Sequence, residues 1–130
     1  MTTRTLLAIT ASVEAATGFI ALTYPQALVG LLFGAGIAGT GVVMSRLAGI
    51  TLIALGVACW PGHDAEAGLA HRVAGMLSYN LLATLYLAWL GIGGEWVGTL
   101  LWPAIVLHLV VTGLCAHAWL GSATRSWVPH

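Results

Sequence analysis

The sequence predicts an all-α fold: an integral-membrane four-helix bundle, up-down-up-down, with both termini cytoplasmic. Three observations lead there. First, 59% of the residues are hydrophobic and only 6% are charged, where soluble domains carry about 25% charged residues; so few charges cannot cover a water-facing surface. Second, four apolar runs are each long enough to cross a hydrocarbon core of ~30 Å, which takes about 20 helical residues. Third, the few arginines outside those runs all fall on one predicted side. Residues 1–130 read as a single membrane domain, with no internal repeat, low-complexity tract or second unit.

The first helix is expected over residues 5–24, closed by Pro25. Its start, Met1-Thr-Thr-Arg4 before Leu6-Leu7, resembles a signal peptide. The apolar stretch continues well beyond the 7–15 residues of a signal core, so it is read as a spanning helix. The Pro25–Gly36 connection is apolar but too short to span, and is expected at the outer interface or dipping into the membrane. The second helix is expected over residues 37–60, ended by Pro61-Gly62, the third over 73–90, ended by Gly91-Ile92-Gly93-Gly94, and the fourth over 99–120, ended by Gly121. Proline and glycine stand where helix stops belong. Membrane β-strands would instead alternate over about ten residues.

Arg4 precedes the first helix, Arg72 lies between the second and third, and Arg125 follows the fourth, while the other two connections carry no Lys or Arg and one holds Glu95. The positive-inside rule therefore places both ends in the cytoplasm, of a bacterial inner membrane. Trp60, Trp89, Trp96, Trp119 and Trp127 fall near the helix ends, where indoles favour the headgroup region. Four acids balance four arginines, so there is no basic face for nucleic acid.

Each helix carries one strongly polar residue near its centre: Glu14, Arg46, Asn80 and His108. A charge at mid-bilayer costs about 2.5–3.5 kcal/mol on insertion scales, so the four are expected to converge inside the bundle. Glu14 and Arg46 would form an ion pair, with Asn80 and His108 as hydrogen-bonding partners. Small residues three and four places from Glu14 (Thr10, Ala11, Thr17, Gly18) let backbones approach. Arg46 shares a stripe with Gly39, Gly49, Ile50 and Ile53, and His108 with Leu101, Ala104, Thr112, Cys115 and Trp119. Such a layer can serve either as helix–helix glue or as a ligand or proton site. Tyr79, Tyr86, Trp102 and Thr112 are candidates to line a cavity for a lipid or quinone-like ligand.

Other chemistry has less to stand on. His63, His71, His117, Cys59 and Cys115 are metal-binding types toward the cytoplasmic side, joined by Asp64 and Glu66, but their spacing fits no established site. No cofactor is predicted. Haem is disfavoured, because His108 and His117 lie about 13 Å apart along one helix. The cysteines read as buried small side chains. No nucleophile, zinc, phosphate-loop or dinucleotide motif occurs, so an enzyme is not expected; any acid–base chemistry would fall to Glu14 or His108.

The stretches Glu14-Ala-Ala-Thr-Gly-Phe, Arg46-Leu-Ala-Gly-Ile and Tyr79-Asn-Leu-Leu-Ala resemble those of small four-helix inner-membrane proteins of bacteria. In size and topology the chain is also distantly similar to DoxX-like proteins. The resemblance implies the fold and brings no activity. The first functional expectation is a non-catalytic accessory or structural subunit, docking in the bilayer on other membrane subunits or on itself. The alternatives are a transporter-like bundle handling a small ligand or protons through Glu14, Arg46, Asn80 and His108, and a metal- or haem-binding redox protein.

Overall fold

Five helices are seen in the computed structural model, which describes residues 1–62 and 68–125, with side chains as far as residue 121. They are α1 (Thr3–Thr23), α2 (Pro25–Phe33), α3 (Thr40–Cys59), α4 (Leu69–Gly93) and α5 (Leu101–Arg125). All but α2 are long and apolar enough to cross a membrane, and the chain is a small multi-pass membrane protein. No strand occurs among the described residues.

The local chemistry explains the boundaries. The Thr2 side chain accepts from Thr5 N–H at 3.2 Å and caps α1, supplying one of the bonds a helix start lacks. Pro25 opens α2, where its missing N–H is no loss. Gly34 (φ 69°) and Gly94 (φ 74°) end α2 and α4 in the left-handed region, which costs other residues about 1–2 kcal/mol. The sequence placed α4 at 73–90, but it runs a turn further at its start and three residues further at its end. Gly91 to Gly93 stay helical, with Gly91 buried against Leu101 and Trp102. Likewise α5 passes through Gly121, and α3 begins only after Gly39.

Within the helices the hydroxyls satisfy themselves. Thr10, Ser12, Thr17, Thr23, Thr51, Ser78, Thr84 and Thr112 each donate to the carbonyl four residues back, at 2.7–3.0 Å. That arrangement suits a solvent without hydrogen bonds.

The bundle is built from two closely packed pairs, α1 with α3 and α4 with α5. Between α1 and α3 the backbones meet directly. A Cβ on Gly49 would stand 2.6 Å from Gly18 O, and one on Gly56 would stand 2.7 Å from Ala11 O. Lipid tails are as apolar as leucine, so this close packing, rather than hydrophobic expulsion from water, holds such helices together.

The two pairs join at the end where α1 begins. There Leu6, Leu7, Ala11, Cys59, Val73, Met76 and Cys115 form a buried core drawn from all four long helices. At the same end Arg4 Nη1 donates to Gly62 O at 2.8 Å, and the Arg72 guanidinium lies beside Gly62. At the opposite end the pairs separate, and α2 lies across the gap. It is fastened to the segment before α5 by Gly98 N–H to Leu32 O (2.9 Å) and Leu100 N–H to Leu31 O (2.8 Å). Only a glycine fits at 98, since a Cβ there would overlap the Leu31 carbonyl.

Candidate functional site

Directly above the core lies a polar cluster. Glu14 on α1 is buried at 4% exposure and Asn80 on α4 at 1%. The Glu14 carboxyl is in hydrogen-bonding reach of the Tyr79 hydroxyl and the Asn80 amide. Asn80 Nδ2 also donates to Met76 O at 3.0 Å, and Asn80 Oδ1 meets His108 Nδ1 on α5 at 2.7 Å. Tyr79 stands edge-on to the His108 ring, with centroids 5.8 Å apart. Asn80 is thus the hub, tying α1 to α4 and α4 to α5.

The network fixes its own atoms. The Met76 carbonyl can only accept, so the amide nitrogen of Asn80 is the atom that faces it. The oxygen is then left for His108. Because that oxygen carries no hydrogen, His108 Nδ1 must carry one. Thr112 completes the local pattern by donating to His108 O at 2.7 Å.

This cluster forms the floor of a cavity of about 1220 Å³ between the two helix pairs. Small-molecule pockets usually hold about 300–1,000 Å³, so the space is lipid-sized. Its walls are apolar, with Leu28 and Leu32 of α2 as the roof, and Trp96 and Tyr86 contribute aromatic rings. Several wall residues, among them Met44, Leu82 and Leu107, are also exposed on the outer surface. The cavity therefore communicates with the apolar surroundings of the helices.

Of the four residues expected to converge, Glu14, Asn80 and His108 do. Arg46 does not: it is exposed, and among the described residues it pairs with no acid. The expected Glu14–Arg46 ion pair is absent. Its depth suits the layer but its direction does not. Ser45 lines the cavity, and Arg46 lies a further ~100° round the helix. Sharing a stripe with Gly49 fixed its direction only to about 60°, too loosely to place a charge inside.

Among the candidate cavity residues, Tyr79 and Tyr86 line it, and Tyr86 packs on Trp89 at 5.9 Å. Trp102 is exposed and lies against Gly91 instead, and Thr112 sits one turn below the floor. Tyr79's place in the polar cluster was missed because it lies one residue from Asn80, off that residue's stripe. Its adjacency to Asn80 was the available signal. Ser45 lines the cavity from α3. Beyond the first turn of each helix, and among the described side chains, its hydroxyl is the one serine or threonine hydroxyl without a bond to its own helix.

Among the described residues the metal candidates do not assemble. Cys59 and Cys115 are free thiols inside the core, while His71 and His117 are exposed. His63, Asp64, Glu66 and Trp127 lie outside the described residues. Among the described residues no group of three or more His, Cys, Asp or Glu could hold a metal ion.

No family model matches this sequence, and neither a curated protein nor a solved structure does.

Proposed function

We propose that the protein binds a lipid-soluble small molecule, whose apolar body fills the cavity between the helix pairs and whose polar head rests on the Glu14–Tyr79–Asn80–His108 floor. The observation that carries this reading is the combination of a large apolar chamber with one connected polar cluster at its base. A layer serving only as glue would be packed over by side chains. This one is left facing about 1220 Å³ of space. Few polar groups in an apolar pocket is the usual design of a small-molecule site.

The arginines favour a bacterial inner membrane with both chain ends in the cytoplasm, since Arg4 and Arg72 meet at the end where α1 begins and Glu95 lies at the other. The floor then lies near mid-membrane, reached sideways from the lipid.

The test is recovery of the molecule itself. Protein prepared in lipid nanodiscs is extracted and analysed by mass spectrometry, beside an Ala104→Trp variant whose indole occupies the chamber. One apolar compound retained in near-stoichiometric amount by the parent and lost from the variant is expected. Equal, purely lipid-like extracts from both would overturn the reading.

Arg46 favours a second reading, the accessory subunit. An exposed arginine within a spanning helix is costly unless paired, and an acid on a neighbouring membrane subunit or a second copy would pair it. Native mass measurement in mild detergent tests this. A complex that Arg46→Leu dissociates supports docking through that flank, and a partner-free monomer counts against it.

A further inference from the structure

The hydrogen-bond pattern of the floor says what kind of head group it receives, granted the cavity-binding reading above. Asn80 Nδ2 has two hydrogens. One goes to Met76 O at 3.0 Å, and the Glu14 carboxyl is in reach of the amide for the other. Asn80 Oδ1 is therefore turned to His108 Nδ1 at 2.7 Å, and that nitrogen holds the ring's hydrogen. In a neutral imidazole the remaining nitrogen, Nε2, is then a lone-pair acceptor.

Among the described residues Nε2 has no hydrogen-bond partner. Among the described residues no buried side-chain nitrogen or oxygen lacks a partner, so Nε2 is accessible, and His108 is a residue of the cavity wall. Nε2 is thus an accessible acceptor of the floor. The Glu14 carboxyl behind it also accepts, and it has the Tyr79 hydroxyl and the Asn80 amide in reach. Ser45, on the α3 wall of the same cavity, keeps a hydroxyl with no partner among the described residues, able to donate in turn.

From this we infer that the ligand is an apolar molecule bearing an alcohol or phenol hydroxyl, which donates to His108 Nε2. Ketone, ether and ester oxygens would set lone pair against lone pair at that atom. An ammonium head would need an open carboxylate, whereas Glu14 is 4% exposed, with the Tyr79 and Asn80 donors in reach. A hydroxyl both donates to Nε2 and can accept from a donor such as Ser45, so it meets the floor's needs without a charge.

The experiment uses the full chain in nanodiscs with three probes of matched tail: 4-nonylphenol, 4-nonylanisole and nonylammonium. Binding is read by intrinsic tryptophan fluorescence, with Ala104→Trp as the blocked control, and by the ¹⁵N signal of the His108 ring, assigned with His108→Phe. The phenol is expected to bind about tenfold more tightly than the anisole, a difference of about 1.4 kcal/mol. The unprotonated Nε2 resonance should shift with the phenol alone, and His108→Phe, if its melting shows it folded, should abolish the preference. Because that substitution can disturb folding, Ser45→Ala serves as the second variant and is expected to narrow the preference. Equal binding of phenol and anisole, both blocked by Ala104→Trp, would overturn the hydroxyl inference while leaving the cavity reading standing. Tightest binding of nonylammonium would overturn it too. No blockable binding of any probe would sink the cavity reading and this inference with it.

Discussion

Asn80 Oδ1 and His108 Nδ1 lie 2.7 Å apart across the α4–α5 seam, and the same asparagine reaches Glu14 on α1. One side chain therefore connects three spanning helices. Asn80→Leu keeps the branched side-chain shape but strands the His108 N–H and leaves the Glu14 carboxyl with Tyr79 alone. Leaving a buried polar group unpartnered costs about 1–3 kcal/mol, and a loss of that size is expected in unfolding from mixed micelles. A double-mutant cycle with His108→Phe should return a coupling of about 0.6 and at most about 1.7 kcal/mol, the range for such bonds in membranes. Additive single effects would show that the pair contributes nothing jointly.

The α1–α3 seam should tolerate no side chain. Gly49→Val forces atoms into the Gly18 carbonyl, and overpacking of this kind costs about 1–3 kcal/mol or more. Gly113→Ala is the matched control: it meets open space on α5, and alanine is a better helix former by up to ~1 kcal/mol. Melting temperatures should therefore move in opposite directions.

Gly98→Ala should release the roof while sparing the spans. Its Cβ would displace the Leu31 carbonyl and break the two backbone bonds that fasten α2. Faster amide hydrogen exchange is expected at Gly98 and Leu100, the two donors, and in the α2 segment they hold, with α4 and α5 unchanged. Uniform exchange across the molecule would mean that α2 is integral to the bundle instead.

Arg46→Leu should leave the isolated protein's stability within about 0.5 kcal/mol, the usual range for surface positions, because the side chain is exposed and has no hydrogen bond or ion pair among the described residues. A loss beyond about 1 kcal/mol would place the guanidinium inside the fold after all.

Cys59 and Cys115, at 4% and 0% exposure, should resist a membrane-permeant maleimide until the protein is unfolded. Labelling of the native protein, followed by mass spectrometry, would show that the core opens.

The four spans, their order and the depth of the polar layer were legible in the sequence because each depends on composition summed over about twenty residues. Glu14, Asn80 and His108 were found for the same reason: polar groups are conspicuous in apolar runs. Direction around a helix was harder to read. Arg46 sits one residue, about 100°, from Ser45, which faces the site, and is itself exposed, while Tyr79, expected to line the cavity, also joins the polar cluster beside Asn80. The α2 roof depends on Gly98 meeting Leu31 some 67 positions earlier, which no local pattern announces. The cavity is likewise a property of how the pairs diverge, not of any one run.

The back-bonded hydroxyls have a bearing on how the protein is made. Hydroxyls satisfied on their own helix's carbonyls, as those of Thr10, Ser12, Thr17 and Thr23 on α1 are, can enter the bilayer with no neighbour present. Glu14 is different, because its two partners, Tyr79 and Asn80, belong to α4. During synthesis α1 must wait, its carboxyl unsheltered, until two further membrane segments have emerged. The last helix then arrives to close the seam at His108, so assembly has a natural order, and its slow moment is the arrival of α4.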